Sequence, residues 1–407
     1  MRTFHNTMPP LPEPQRANAR ERYAYPSVTE RLPAIGRRML SENCFPTELN
    51  VRLEALFAGI PASGIVMLED AQAPDFPVWQ EVIVPLLGMN WLDIPWFFAE
   101  VYFYRRILDI SGYFSSGDTC GVDPFLYQKQ EGLKSELADV RRVVSLLDHW
   151  QSPNLPDTEA MLEVLLASLW GNQVDLSLWP VDESGRSARS GEQYNANRLI
   201  LDDAPAATAA FLNSPKPRRL QVLVDNAGLE LVYDLVLADL VLSRALAERV
   251  TLQVKFHPTF VSDATRGDIN WTINILLGDS DPRVVAFARR LSAFLDNGQL
   301  EIKDPVFWTT PLPLWEMPAE LSETLGRASL IISKGDANYR RLLGDRLWDP
   351  SIPLNQILTY LPAPLLALRV IKSDLIVGMP ADKIDSLYRL DPQWMINGQW
   401  SIMQAAT

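Results

Sequence analysis

Several polar stretches in the second half of the chain end apolar runs and carry residue types able to hold a phosphate ester and a divalent cation. Asp225 and Asn226 close "RLQVLVDNAG", and Gly228 lets the chain turn closely into the next helix. An adjacent carboxylate and carboxamide offer the hard oxygen donors that Mg²⁺ and Mn²⁺ prefer; the same pair also suits a helix N-cap. In "FVSDATRGDINW" either Asp263 or Asp268 can complete such a site, and Asp263 is favoured because Phe260 and Val261 would anchor it near the core. The run "SKGDANYRRLLGD" supplies Lys334, Gly335, Asp336, Ala337 and Asn338. Glycine there permits close backbone approach, and successive amides can form an anion-holding nest. Lys334 adds a point charge, and Asn338 a donor and an acceptor. Arg340 and Arg341 follow on one helix and cannot both face a pocket, so one is expected to pair with a surface acid. Lys372 ends "LLALRVIK". Two lysines on separate strands can bracket a phosphate, and sharing its charge favours phosphoryl transfer. The chain lacks a GxxxxGK[ST] loop, so nucleotide hydrolysis of the P-loop kind is not indicated.

These residues need elements to position them. From about residue 186 short β-rich runs alternate with helices: "RLQVLVDNAG", "VTLQVKFHP", "QLEIKDPVFW", "ASLIISKGDAN" and "LLALRVIKSD", with helices expected at about 229–248, 282–295 and 319–327. Such alternation indicates βαβ units in a mainly parallel sheet, whose ligands bind beyond the carboxyl ends of the strands. All five runs end in acidic, amide or basic groups. Before about residue 175 the apolar spacing is helical, as in "TELNVRLEALFAGI", "WFFAEVYFYRRILDISGYF", "ELADVRRVVSLLDHW" and "TEAMLEVLLASLWG". The first ~45 residues read as an arm draped over the body. The expected fold is therefore α/β: a helical region, 1–185, packed on a Rossmann-like three-layer region, 186–407. Within the helical part, Glu100 and Tyr104 lie one turn apart, and Asn172 and Asp175 follow an amphipathic helix; both pairs also fit a helix surface packed on the sheet.

Bulk properties exclude several functions. Among 407 residues 47% are hydrophobic and 21% charged, a globular balance, and the net charge of −13 argues against a general binder of nucleic acid or anionic membrane. Two cysteines without CxxC spacing, Cys44 and Cys120, and three histidines leave little basis for a disulfide scaffold or a zinc centre. No segment has the length of a signal peptide core or a membrane span, and a cytoplasmic location is expected.

The stretches "DNAGLELVYDLVLADLVL", "HPTFVSD", "SKGDANYRRLLGD" and "LRVIK", with "PWFFAEVYFYRRI" and "LWGNQVDLS" earlier, resemble the metal-dependent damage-control phosphatases. The subgroup is that of the acidic residue methyltransferase-like proteins and their fungal sugar-phosphate phosphatase relatives. The likeness covers most of the chain after about residue 20. It implies a hydrolase dependent on Mn²⁺, Co²⁺, Ni²⁺ or Mg²⁺ that acts on small phosphate esters such as fructose 1-phosphate and fructose 6-phosphate. Carried over, the catalytic metal ligands are Asp225, Asn226 and Asp263, and the substrate segment is Lys334–Asn338 with Lys372. Glu230 falls at a position given to an S-adenosylmethionine contact, and Glu100 and Asn172 are candidates for supporting roles. The subgroup's arginine-threonine-any-lysine signature stands here as Arg369-Val370-Ile371-Lys372, losing the hydroxyl. A carboxyl methyltransferase is the rival enzyme reading, weakened because "DNAGLE" has one glycine where cofactor-binding turns carry several. A non-enzymatic sugar-phosphate binder is the third, and the acidic trio counts against it. Attack by water is more economical than attack by Asp225, whose lone pairs a metal would engage.

Overall fold

The computed structural model describes residues 8–170 and 198–407. Its centre is a seven-stranded sheet in the order β1-β7-β6-β5-β2-β3-β4. The strands are β1 (Leu199–Asp202), β2 (Arg219–Leu223), β3 (Arg249–Gln253), β4 (Leu300–Lys303), β5 (Leu330–Lys334), β6 (Leu365–Val370) and β7 (Ser401–Ala406). Strands β2 to β6 are the five expected from sequence, and every pairing among them is parallel. The sheet extends further than anticipated: β7 pairs antiparallel with β6, and β1 parallel with β7.

Alternation of side chains along each strand makes the three layers. Leu220, Val222, Val250, Leu252, Leu330, Ile332, Leu366 and Leu368 face one apolar layer. That layer is built by helices α5 (Leu126–Ser135) through α10, namely α6 (Leu137–Trp150), α7 (Asp157–Trp170), α8 (Ala204–Asn213), α9 (Leu229–Ser243) and α10 (Arg266–Leu277), together with α11 (Pro282–Asp296). Leu223, Ile331, Leu365 and Ala367 face the opposite layer. There lie α12 (Ala319–Gly326), α13 (Gly335–Leu342), α14 (Leu354–Ile357) and α15 (Ala381–Leu390). Helix α9 stops at Ser243, short of the expected end near residue 248, because Ala245 takes a left-handed conformation (φ 51°).

A third core belongs to α1 (Leu32–Glu42), α2 (Thr47–Gly59), α3 (Phe76–Ile83) and α4 (Trp96–Ser111). Phe260 and Val261 from the loop beyond β3, and Ala337 from the start of α13, pack against it, so these helices cover the carboxyl edge of the sheet. Helix α4 is buried along its whole length. The N-terminal segment is more than an arm: Ala24–Pro26 and a π-turn, Ser27–Arg31, lead directly into α1. Pro33 has no N–H to give the carbonyl four residues back. Just before it, Leu32 N–H reaches Ser27 O, the wider π spacing. Among the described residues no helix is long and apolar enough to cross a membrane.

Candidate active site

From β2 the chain proceeds to β3 and β4 on one side of the sheet, while β5 and β6 lie on the other. The crevice between the carboxyl ends of β2 and β5 is thus a topological switch point, where open α/β sheets bind ligands. Leu223 pairs with Ser333; carrying that register two residues on sets Asp225 opposite Gly335. The approach is close enough that a Cβ on Gly335 would fall 1.9 Å from Asp225 Oδ2, and Gly335 has φ +82°. Only glycine satisfies both conditions.

The loop after β3 folds back onto the end of β2. Asn226 and Asp263 form an antiparallel bridge, Ala227 N–H donates to Ser262 O (2.7 Å) and Ala264 N–H to Asp225 O (2.8 Å). Phe260 anchors the turn against Tyr104, at 5.2 Å between ring centres. Asp225, Asn226 and Asp263 therefore converge. Asp268 is occupied elsewhere: it forms a capping box with Thr265 at the start of α10, and Lys129 Nζ lies 2.9 Å from it.

Asp225 and Asp263 are 8% and 3% exposed. Burial, then the charges of Asp263 and Glu230, push the Asp225 carboxyl well above the usual carboxylate range, against the pull of Lys255 and Lys372. Burial likewise raises Asp263, although Lys255 Nζ sits 3.1 Å from its Oδ2. Asn226 Nδ2 donates to Asp225 Oδ2 (3.0 Å) and Glu230 Oε2 (2.8 Å), while Ser262 Oγ donates to Asn226 Oδ1 (2.6 Å). Among the described residues no three carboxylate, imidazole or thiolate groups form a metal cluster; the set here is two carboxylates and an amide. Two buried acids that stay raised despite Lys255 and Lys372 fit a hard divalent cation, which would favour their ionised forms.

The remaining expected residues divide in position. Lys334 lines the crevice, but its strand parity points it at α7 and α9, where Nζ donates to Ser168 O (3.0 Å), Ser168 Oγ (2.8 Å) and Asp234 Oδ1 (2.7 Å). Gly335, Asp336 and Ala337 line the cavity at the start of α13. Asp336 accepts from Arg369 Nε (2.7 Å) and Ser373 Oγ (3.1 Å). Although burial opposes it, the charges of Arg369 and Arg340 hold Asp336 below its usual range. Asn338 does not line the cavity. Its amide donates to Lys334 O (3.0 Å) and Val224 O (3.3 Å), tying the ends of β5 and β2 together. Lys372 is exposed to the cavity, and its ammonium makes no hydrogen bond or ion pair among the described residues. Glu230 and Glu100 also line the wall. Asn172 and Asp175 lie outside the described residues.

The cavity, about 240 Å³, extends to residues that the spacing did not single out as site members: Tyr23, Arg31, Trp96, Trp170 and Arg340. Arg340 pairs with buried Glu100 (2.5 Å) and Asp345 (2.9 Å), not with a surface acid, and its guanidinium lies 3.7 Å over Trp96. Arg341 is buried as well, and burial pulls its guanidinium down to about 9. The one available signal was the pair of prolines, Pro26 and Pro33, bracketing the π-turn that ends in Arg31.

Residues 27–387 match the family described as the damage-control phosphatase ARMT1-like domain. The Danio rerio protein named damage-control phosphatase ARMT1 is 32% identical over 336 residues, spanning 78% of this chain and 74% of its own. The Homo sapiens protein of that name is 31% identical over 333 residues, 77% of this chain and 75% of its own. A crystal structure of a DUF89 family protein from Pyrococcus horikoshii covers 94% of this chain and 98% of that one, at 14% identity and a TM-score of 0.48. The chain belongs to the damage-control phosphatase ARMT1-like family and is, by that membership, a phosphatase.

Proposed function

We propose that the protein is a divalent-metal-dependent phosphomonoesterase for small phosphometabolites, with sugar phosphates such as fructose 1-phosphate and fructose 6-phosphate as its foremost substrates. The observation that carries this reading is the convergence of Asp225, Asn226 and Asp263 at the β2–β5 switch point. These three residues would hold one cation, Mn²⁺, Co²⁺, Ni²⁺ or Mg²⁺. When bound, such an ion supplies Lewis-acid polarisation of a phosphoryl oxygen and a site at which water is activated.

The chain's own groups perform the rest. The first amides of α13, at Gly335, Asp336 and Ala337, lack intrahelical partners and present the positive end of the helix dipole to an anion. Lys372 brings to the same anion an ammonium without an ion-pair partner among the described residues, and its charge already bears on Asp225. Asp336 holds Lys372 in place by accepting its backbone N–H (3.2 Å). Lys334 acts from the side: pinned by Ser168 and Asp234, it offsets the acids of the crevice as a fixed positive charge. The roof of α1–α4 shields the reacting group from bulk water, which strengthens each electrostatic contact. A cytoplasmic location and the two-region division near residue 185 belong to the same reading. The test is phosphate release from a panel of sugar phosphates with Mn²⁺ or Co²⁺, with and without EDTA. Turnover that survives chelation removes the metal from the scheme; S-adenosylmethionine binding without any phosphate release supports the methyltransferase instead.

A further inference from the structure

The cavity has two chemically distinct ends. One holds Asp225, Asn226, Asp263 and Lys372, which suit a metal and a phosphate. The other is formed where the helical lead-in crosses α4, by Tyr23, Arg31, Trp96 and Glu100, with Tyr104 lying between the two against Phe260. Tyr23 and Trp96 meet edge to face at 6.1 Å, making an apolar corner. Glu100 is fixed in its rotamer by Ser27 Oγ (3.1 Å) and Arg340 (2.5 Å), each taking one oxygen and leaving lone pairs over. Arg31 differs from its neighbours. It is exposed to the cavity and makes no hydrogen bond or ion pair among the described residues. The charged and titratable groups that act on it most strongly are Glu100, Tyr104, Tyr23 and Arg340.

We infer that Arg31 is a specificity-determining residue that reads the carbon skeleton of the ester, donating to a hydroxyl or carbonyl oxygen while Glu100 accepts from a neighbouring hydroxyl. This rests on the phosphatase reading and deepens it. A free guanidinium offers donors only, and an anchored carboxylate acceptors only. Side by side they match a group that is both, such as the vicinal hydroxyls of a polyol. Charge is already balanced locally, since Arg31 and Arg340 stand against Glu100 and Asp345. A neutral hydroxylated skeleton therefore fits this end better than a second acidic group. The π-turn is what sets Arg31 here: its extra residue advances the side chain before α1 resumes regular spacing.

The test compares wild type, Arg31→Ala and Arg31→Lys on fructose 6-phosphate and on p-nitrophenyl phosphate, whose leaving group bears no hydroxyls, in Mn²⁺. Arg31→Ala is expected to raise KM for fructose 6-phosphate by roughly 10-fold or more, the scale of a charged hydrogen bond. The change in kcat should be smaller, and the loss on the aryl ester several-fold less. Arg31→Lys is expected to recover part of the loss, because it keeps the charge without the fork. Equal losses on both esters, or none on fructose 6-phosphate, overturn the inference. Calorimetric binding of fructose 6-phosphate to the same variants separates it from the parent reading. If wild type turns over neither ester, the phosphatase reading falls. Weaker binding by Arg31→Ala still supports the role of Arg31 in that case, and undiminished binding refutes it.

Discussion

Asp225 sits where a carboxylate is costly. It is buried, faces two other acids, and lies so close to Gly335 that no side chain fits there. Gly335→Ala combines a left-handed backbone with a collision at Asp225, and is expected to lower turnover by about 100-fold, the scale of a 1 Å misplacement. Asp225→Asn should abolish phosphate release while leaving the fold intact. The pH dependence has a definite sign. Because the folded pKa of Asp225 lies above its unfolded value, its carboxyl favours folding below about pH 4, and that contribution is lost as pH rises through the folded pKa. In EDTA at pH 8, Asp225→Asn should therefore melt at or above wild type; with Mn²⁺ the order should reverse. A wild type that melts higher in both conditions contradicts the assignment. Asp225, Asn226 and Lys372 stood out as candidates in sequence because each follows an abrupt end to an apolar run, while Asp263 was preferred to Asp268 for the apolar pair Phe260-Val261 before it. Arg31 did not stand out, since its role depends on a lead-in reaching the sheet from about 200 residues away in sequence. Asn338 was misleading: an amide in a polar turn looks like a ligand donor until the carbonyls of β2 are seen beside it.

The elements meet at a buried knot of charge. Asp75, just before α3, takes Arg105 Nε of α4 (2.7 Å) and His257 Nε2 (3.2 Å) from beyond β3. Burial opposes the ionised form, but hydrogen bonds from His257 and Arg105 outweigh it and hold Asp75 at about 2. Its contribution is thus present above about pH 4 and is lost as pH falls toward 2. Asp75→Ala leaves buried Arg105 with Asp70 alone (2.8 Å) and His257 Nε2 without its partner, and is expected to cost roughly 1–3 kcal/mol in denaturant unfolding; no measurable loss means the knot does not hold the roof. The strands β2 to β6 could be read because short β-rich runs alternate there with helical stretches. Neither β7 nor β1 belongs to that alternation. "SIMQAA" is poor in β-branched residues, and its place is set by pairing with β6. The roof over the carboxyl edge was equally hidden, because helical periodicity reports that a face is buried without saying against what.

At the scale of the whole molecule, the acidic surface and the site act in opposite ways. A net charge of −13 repels phosphate esters at long range, but salt screens that field within about 10 Å. Selection must therefore come from the crevice. If Asp225, Asn226 and Asp263 hold a cation only in the folded chain, Mn²⁺ at about 100 times its Kd should stabilise the protein by about 2.7 kcal/mol. That is a rise of a few degrees in melting temperature, absent from Asp263→Asn. The most direct measurement of the central claim is inorganic phosphate released from fructose 1-phosphate and fructose 6-phosphate by purified protein. Turnover is expected with Mn²⁺ or Co²⁺, with its loss in EDTA and its return when metal is restored. Turnover indifferent to EDTA, or no phosphate released under any metal, contradicts a metal-dependent phosphatase.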